Sequence, residues 1–385
     1  MKLNRVLLFF LFTLFVFSGK VLAGEEGYED IDYNDEYDDE QYKEENNPLY
    51  DGKVVSIIEE KTNIDGYENR TQVLKVKVLE GDYKDQLVEV NHNISEMFVY
   101  NVELNEGDEV ILFVDEGGWH IFDMRRDTKI FWIVGIFIIV LLVIGGWKGF
   151  KSLVSLIITL VGIIGVFLPS VIKGYDPLIM SIGISICVTL ITILLISGFN
   201  IKSLSAIIGT SIGVVCAGVL ALIFGNLSYL TGLYTEEAQN LTFIPQATQF
   251  NFKNLLFAGI LLGTLGAVMD VCISIASSIK ELYEANPLLT VKKLFVSGMN
   301  IGRDIMGTMT NTLILAYVGS SLHLMILFLA YETPRKEIIN NELVSTEIIR
   351  SVAGTIGLIL SIPITAIVTA ILIKKFSYKD DLNQQ

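Results

Sequence analysis

The sequence predicts a polytopic α-helical membrane protein of about seven spans, preceded by a small extracytoplasmic β-barrel-like domain, for which an OB-like fold is one option. Three observations predict it. Apolar stretches long enough to cross a bilayer recur from Ile130 onward. Runs of alternating and β-branched residues, parted by turn signals, fill the region before them. A mean hydropathy of +0.53, with 51% hydrophobic residues in 385, excludes an ordinary soluble domain.

At the start of the chain, Lys2 and Arg5 precede an apolar run from Val6 to Phe17, and Val21-Leu22-Ala23 offers small residues before a cut. A run this short, broken at Lys20, reads as a signal peptide over residues 1–23 rather than as an uncleaved anchor. Either reading exports the residues next to it. The net charge of −15 is mostly local, because Gly24 to Asn47 carries twelve acidic residues against the single Lys43. That acidic tract (24–47) cannot bury a core and is expected to be disordered.

Residues 48–126 are expected to form the β-domain. Strand patterns occur at Lys53–Glu60, Gln72–Glu80, Gln86–Asn91, Glu109–Val114 and Trp119–Met124. Turn signals divide them at Asp65-Gly66, Gly81-Asp82, Gly107-Asp108 and Gly117-Gly118. Five short strands suit a small β-barrel or a sandwich, the OB type being one option. Nucleic acid is not an expected partner, since no basic, aromatic-studded face is present.

The membrane region is expected over 130–376, with spans near 130–147, 153–172, 177–197, 204–224, 254–276, 306–329 and 350–373, then a cytoplasmic tail over 377–385. Lys148, Lys151, Lys202, Lys280, Lys292, Lys293, Lys374 and Lys375 then share the cytoplasmic side, while Arg125, Arg126 and Lys129 run against that trend. The expected partner of these spans is a lipid bilayer, with the N-terminal domain outside and the C-terminus inside. Gly209/Gly213, Gly259/Gly263 and Gly354/Gly357 with Ser361 have spacings that let helices approach closely. Gly298/Gly302 lies just before the expected sixth span, where a turn is the alternative to helix packing, and Pro169 and Pro363 fall within spans. Cys187, Cys216 and Cys272 lie in apolar stretches and are expected to be free packing residues.

Polar residues inside the fifth and sixth spans form the candidate site. Asp270, Ser274, Ser277 and Glu281 share one helical face, as do Asp304, Thr308 and Asn311, with Arg303 beside them. Charged groups within spans are rare and normally face protein or a wet cavity. Several readings stay open. Asp270 and Arg303 can pair as a clamp between helices, with Thr308 and Asn311 bonding across the contact. The same groups, with Thr312, can line a path for an ion, proton or small solute. Proteolysis by Asp270 with Asp304 is disfavoured, because Arg303 beside Asp304 would hold it ionised. No catalytic constellation, metal-ligand cluster or cofactor motif is recognised; His92, His120 and His323 are scattered.

Two strings here resemble a known family. Met269-Asp270-Val271 followed by Ser274-Ile275-Ala276-Ser277, and the long run from Ser297 through Gly298-Met299-Asn300-Ile301-Gly302-Arg303-Asp304 to Asn311 and Gly319, look like the YibE/F-like membrane proteins. A looser resemblance extends from about Ile130 to Phe376, and the β-domain is similar to that of the longer, YibE-type members. The resemblance implies a multi-pass bacterial membrane protein and no particular activity. It also implies a heteromeric partner of the shorter, YibF type, with a homo-oligomer as the alternative. Two functional expectations result: a permease-like or channel-like protein of unknown substrate using the Asp270 site, or a non-transporting scaffold or sensor whose β-domain binds a surface partner.

Overall fold

The computed structural model describes residues 48–64, 68–95, 102–115, 117–244 and 250–383. The expected signal peptide, acidic tract and Asp65-Gly66 turn lie outside them. The chain divides into two compact units between Lys129 and Ile130.

The first unit is a five-stranded antiparallel sheet of β1 (Tyr50–Ile64), β2 (Glu68–Val78), β3 (Leu87–Ser95), β4 (Glu109–Asp115) and β5 (Gly118–Met124). Its order is β3-β2-β1-β4-β5. The two edge strands, β3 and β5, approach one another, so the sheet curls into a nearly closed barrel. Alternation produces this shape: Leu74, Val76 and Val78, Val88 and Val90, and Val110 and Leu112 all point into one buried core. Each such side chain contributes about 1.5–3 kcal/mol when fully buried. Register shifts near Ser56 and Ile57 give β1 the bend that curling requires. The buried Gln72 amide is bonded on both sides to the Leu104 backbone, at 3.2 and 3.0 Å, which ties the β3–β4 connection to the core.

β1 and β2 run past their apolar alternation, because their backbone ladder continues out to Ile64↔Glu68.

The second unit is helical. By length and hydropathy, five helices can cross a bilayer, or six if one bent pair counts as a single span. α1 (Asp127–Gly162) continues through a π-helical turn at Ile163–Phe167 into α2 (Leu168–Ile172). Then come α3 (Pro177–Ser197), α4 (Ile201–Leu227), the short α5 (Glu236–Asn240), and α6 (Phe252–Ala285). α7 (Val291–Ser320) and α8 (Leu322–Ala330) meet at a 57° bend. The short α9 (Arg335–Asn340) and the long α10 (Glu342–Asn383) complete the chain. Capping residues set several starts: Asp176, Asn200 and Asn251 each accept a backbone N–H at 3.0 Å from three residues on.

α1 is not one straight rod. Gly146 has φ 51° and ψ −130°, and a Cβ on Gly149 would collide with the Leu141 carbonyl. In a straight helix eight residues put about 12 Å between such atoms. The chain therefore doubles back at Gly145-Gly146, dividing α1 into two apolar arms.

α4, α6, α7 and α10 form the bundle core with α3 against it. Small residues bring α4 and α10 together. A Cβ on Gly209 would strike the Thr365 hydroxyl, one on Gly213 would lie 2.7 Å from Ser361 Cβ, and one on Gly357 would lie 2.6 Å from Ala217 Cβ. Gly298 and Gly302 are not in a turn. They lie inside α7 and accept Ile279 and Ile362, so α7 seats on α6 and α10. Gly259 and Gly263, expected at a helix contact, are not packed against another backbone. Gly259 has open space beside it, and the nearest atom at Gly263 is the Tyr317 hydroxyl at 3.5 Å. Periodicity placed them on a common face, but among the described residues that face of α6 carries no closely packed helix. The three cysteines are free.

Candidate functional site

α6 and α7 lie side by side along the whole run of the candidate residues. Gly298 touches Ile279, Gly302 touches Ile275, and Tyr317 approaches Gly263. This antiparallel register puts Asp270 level with Gly307 and Thr308, and Ser274 level with Arg303 and Asp304. On α6 the buried positions, among them Val268, Val271, Cys272 and Ile275, face the bundle. Gly259, Gly263, Gly266, Asp270, Ser274 and Glu281 share the opposite, exposed face, at successive spacings of four, three, four, four and seven residues. α7 repeats the division. Leu294, Gly298, Gly302 and Leu313 are buried, while Asn300, Arg303, Asp304, Gly307, Thr308 and Asn311 are exposed in one stripe.

The polar residues that the sequence singled out are therefore together, on adjoining helices at matching depth, but they are uncovered. The direct Asp270–Arg303 clamp is not formed: no ion pair joins them, and the Arg303 guanidinium donates instead to Asn300 Oδ1 at 3.3 Å. Thr308 and Thr312 donate to the Ile305 and Thr308 carbonyls at 2.9 Å, so these hydroxyls serve their own helix rather than bridging to a neighbour. The physical reason is angular. Packing of Gly298 and Gly302 against Ile279 and Ile362 fixes the roll of α7, and that roll turns the polar stripe outward. A carboxylate in hydrocarbon costs several kcal/mol unless it is hydrated, protonated or paired.

A second ionic group was not foreseen. At the start of α10, Arg350 donates to Glu347 Oε1 at 2.8 Å and to the Tyr234 hydroxyl at 2.8 Å. Among the described residues, Glu347 Oε2, Arg350 Nε and the buried Thr346 hydroxyl have no partner. Burial chiefly raises the Tyr234 pKa, and the nearby Arg350 cation offsets part of that rise. Beside this cluster Glu342 accepts from the Thr231 N–H at 2.5 Å, the Thr231 hydroxyl at 2.9 Å and the Gly232 N–H at 3.2 Å. The signal in the sequence was the Glu347–Arg350 spacing of three at the mouth of a span, which sets both on one helical face. At the other end of α10, Lys374 donates to the Pro287 carbonyl at 2.7 Å and lies 4.9 Å from the centre of the Tyr283 ring. Among the described residues no group of three His, Cys, Asp or Glu side chains is placed to hold a metal ion.

The barrel has a recess at the seam between β3 and β5. A cleft of about 470 Å3 is lined there by Asn91, His92, Asn93, His120, Phe122 and Arg126, among others.

No curated protein and no solved structure matches the chain. Two family models do. The N-terminal domain of the YibE/F family matches residues 49–123, the barrel, and the YibE/F-like protein model matches residues 133–375, the helical unit. The second match alone spans more than half of the sequence and includes every residue of the Asp270 face. The chain is thus a member of the YibE/F-like family.

Proposed function

We propose that the chain is a permease-like or channel-like protein of the bacterial cell membrane, with Asp270, Ser274, Arg303, Asp304, Thr308 and Asn311 along its polar path. The observation that carries this reading is the uncovered polar face of α6 and α7. A clamp would pack these groups dry between helices, whereas here no helix of the chain covers them, which leaves them to enclosed water, a solute or a further protein surface. Seven spans result if the two arms of α1 each cross, a count favoured by the reversal at Gly146. The bonds at the two ends of α10 support the orientation. Loops carrying Thr231 and Tyr234 meet its start, while the Lys280, Lys292 and Lys293 region meets its lysine-bearing end. The start is the outer end, and the barrel is exported by a signal peptide. The test is ion and solute flux into liposomes holding the purified chain, beside Asp270→Asn. Flux that the variant loses supports the path; a variant as active as the parent rejects it.

The seam cleft favours a second reading, a scaffold or sensor whose barrel holds a surface partner. Loss of the cellular phenotype on removing 48–126, with liposome flux absent in the intact chain, would select it.

A further inference from the structure

We propose that the uncovered α6–α7 face is closed by the same face of a second copy of this chain, with Arg303 of each copy meeting Asp270 of the other. This rests on the reading of that face as an intramembrane site.

Three observations lead there. The first is exposure inside spans. Asp270, Ser274, Arg303 and Asn311 lie on helices long and apolar enough to cross a bilayer, or on the bent pair that passes the same test. Lipid tails offer such groups no hydrogen bond, so a protein surface or enclosed water must cover them.

The second is charge. The face carries carboxylates and a guanidinium together, and among the described residues Arg303 makes a single weak bond, to Asn300. A two-fold interface uses one patch twice, so it must be self-complementary: residue i meets j and j meets i. A patch of one sign would repel its copy, whereas this one carries both an acid and a base for the copy to meet. The register makes the meeting geometrically feasible. With Asp270 level with Gly307, Arg303 lies about one turn, roughly 5–6 Å, away in depth. A two-fold axis along the membrane normal preserves depth, and an arginine side chain spans that offset.

The third is shape. A Cβ at Gly266 or Gly307 would meet no atom within 4 Å, so the middle of the face is flat and open. Small residues of this kind let two helix pairs approach closely in a bilayer, where packing and polar bonds, rather than water exclusion, hold helices together.

The experiment is oxidative cross-linking of the full chain in its native membrane, with Ser274→Cys and Gly307→Cys tested separately in a Cys187→Ser background. Ser274→Cys changes one atom, so its folding is not in question. A cross-linked species of twice the chain mass from either variant, absent from the background protein, is the expected result. Cross-linking to a different polypeptide, such as a shorter relative, overturns the proposal, as does no cross-linking at both positions. In the Ser274→Cys chain, Arg303→Asp should then lower the cross-linked fraction about tenfold or more, as truncated interfacial charge pairs do. Adding Asp270→Arg should restore it; no restoration rejects the pairing. Cross-linked dimer without flux would reject the path and leave the interface standing. Flux from a chain that cross-links nowhere would do the reverse.

Discussion

Arg350 and Tyr234 are joined across 116 residues of sequence, with the guanidinium donating to the phenol oxygen at 2.8 Å. The bond fastens the loop before α5 to the first turns of α10, beside the Glu342 bonds to Thr231. Hydrogen bonds to charged groups contribute about 1.5–3 kcal/mol each. Tyr234→Phe should therefore lower the thermal midpoint of the detergent-solubilised protein. Since burial raises the Tyr234 pKa, the hydroxyl stays protonated at neutral pH and the loss should be the same at pH 6 and pH 8. An unchanged midpoint would show that Glu347 alone holds Arg350.

Glycines on the two sides of the bundle should respond differently. Gly209→Ala drives a methyl into Thr365, and Gly213→Ala places one against Ser361 and Val268. Overpacking of this kind costs about 1–3 kcal/mol. Both variants should yield less folded protein by size-exclusion profile, while Gly259→Ala, with open space beside it, should match the parent. Equal losses at Gly209 and Gly259 would contradict the packing described.

The barrel should lose stability in acid. Lys77 bonds to Asp85 and holds its carboxyl below the usual range, and Arg126 with the Met124 N–H does the same for Asp123. A depressed carboxylate stabilises the fold above its unfolded pKa, and that stability goes as pH falls through the folded pKa. Asp51 opposes this. Burial raises its pKa despite Arg125, so its share is present in acid and fades as pH rises. With Asp85 and Asp123 setting the trend, residues 48–126 should show strand-dominated circular dichroism whose melting point drops below about pH 4. Asp123→Asn should reduce that drop. A midpoint that rises toward acid would mean that Asp51 governs.

Orientation can be read in intact cells with a membrane-impermeant thiol reagent. Cysteines replacing Glu237 and Glu337, both exposed, should react, and one replacing exposed Ala285 should not. The grouping of Lys280, Lys292, Lys293 and Lys374 at one end motivates the prediction. Labelling at Ala285→Cys from outside would invert the arrangement.

How much of this was legible depends on what each signal measures. Alternation placed all five strands, because a barrel interior enforces period two at positions such as Leu74, Val76 and Val78. Hydropathy found the long helices, and small-residue spacing found Gly209 and Gly213. Periodicity also grouped Asp270 with Ser274 and Asp304 with Thr308, correctly for each helix alone. It could not say how far each helix rolls about its axis. That angle is fixed by Gly298 and Gly302 against distant side chains, so the expected Asp270–Arg303 contact did not form. Arg350 and Tyr234 escaped for a related reason. Each looks ordinary locally, and only folding across 116 residues joins them.

Gly146 yields the last prediction. Its φ of 51° with ψ of −130° is strained for any residue with a Cβ, and it sits between the two apolar arms of α1. Strain of this kind costs about 1–3 kcal/mol, and a β-branched side chain worsens it. Gly146→Val should favour continuing the helix straight on, which sends the second arm away from the bilayer instead of back through it. A cysteine replacing Tyr175, exposed just after α2, reports the outcome. In the parent it should react with the impermeant reagent in intact cells, as a loop beyond a returning arm would. With Gly146→Val that labelling should fall, because the loop no longer reaches the outer face. Undiminished labelling in Gly146→Val would show that the chain turns at this point without needing glycine, and that the reversal is set by packing of the second arm against α3, where Ser155 bonds to Thr192 at 2.8 Å.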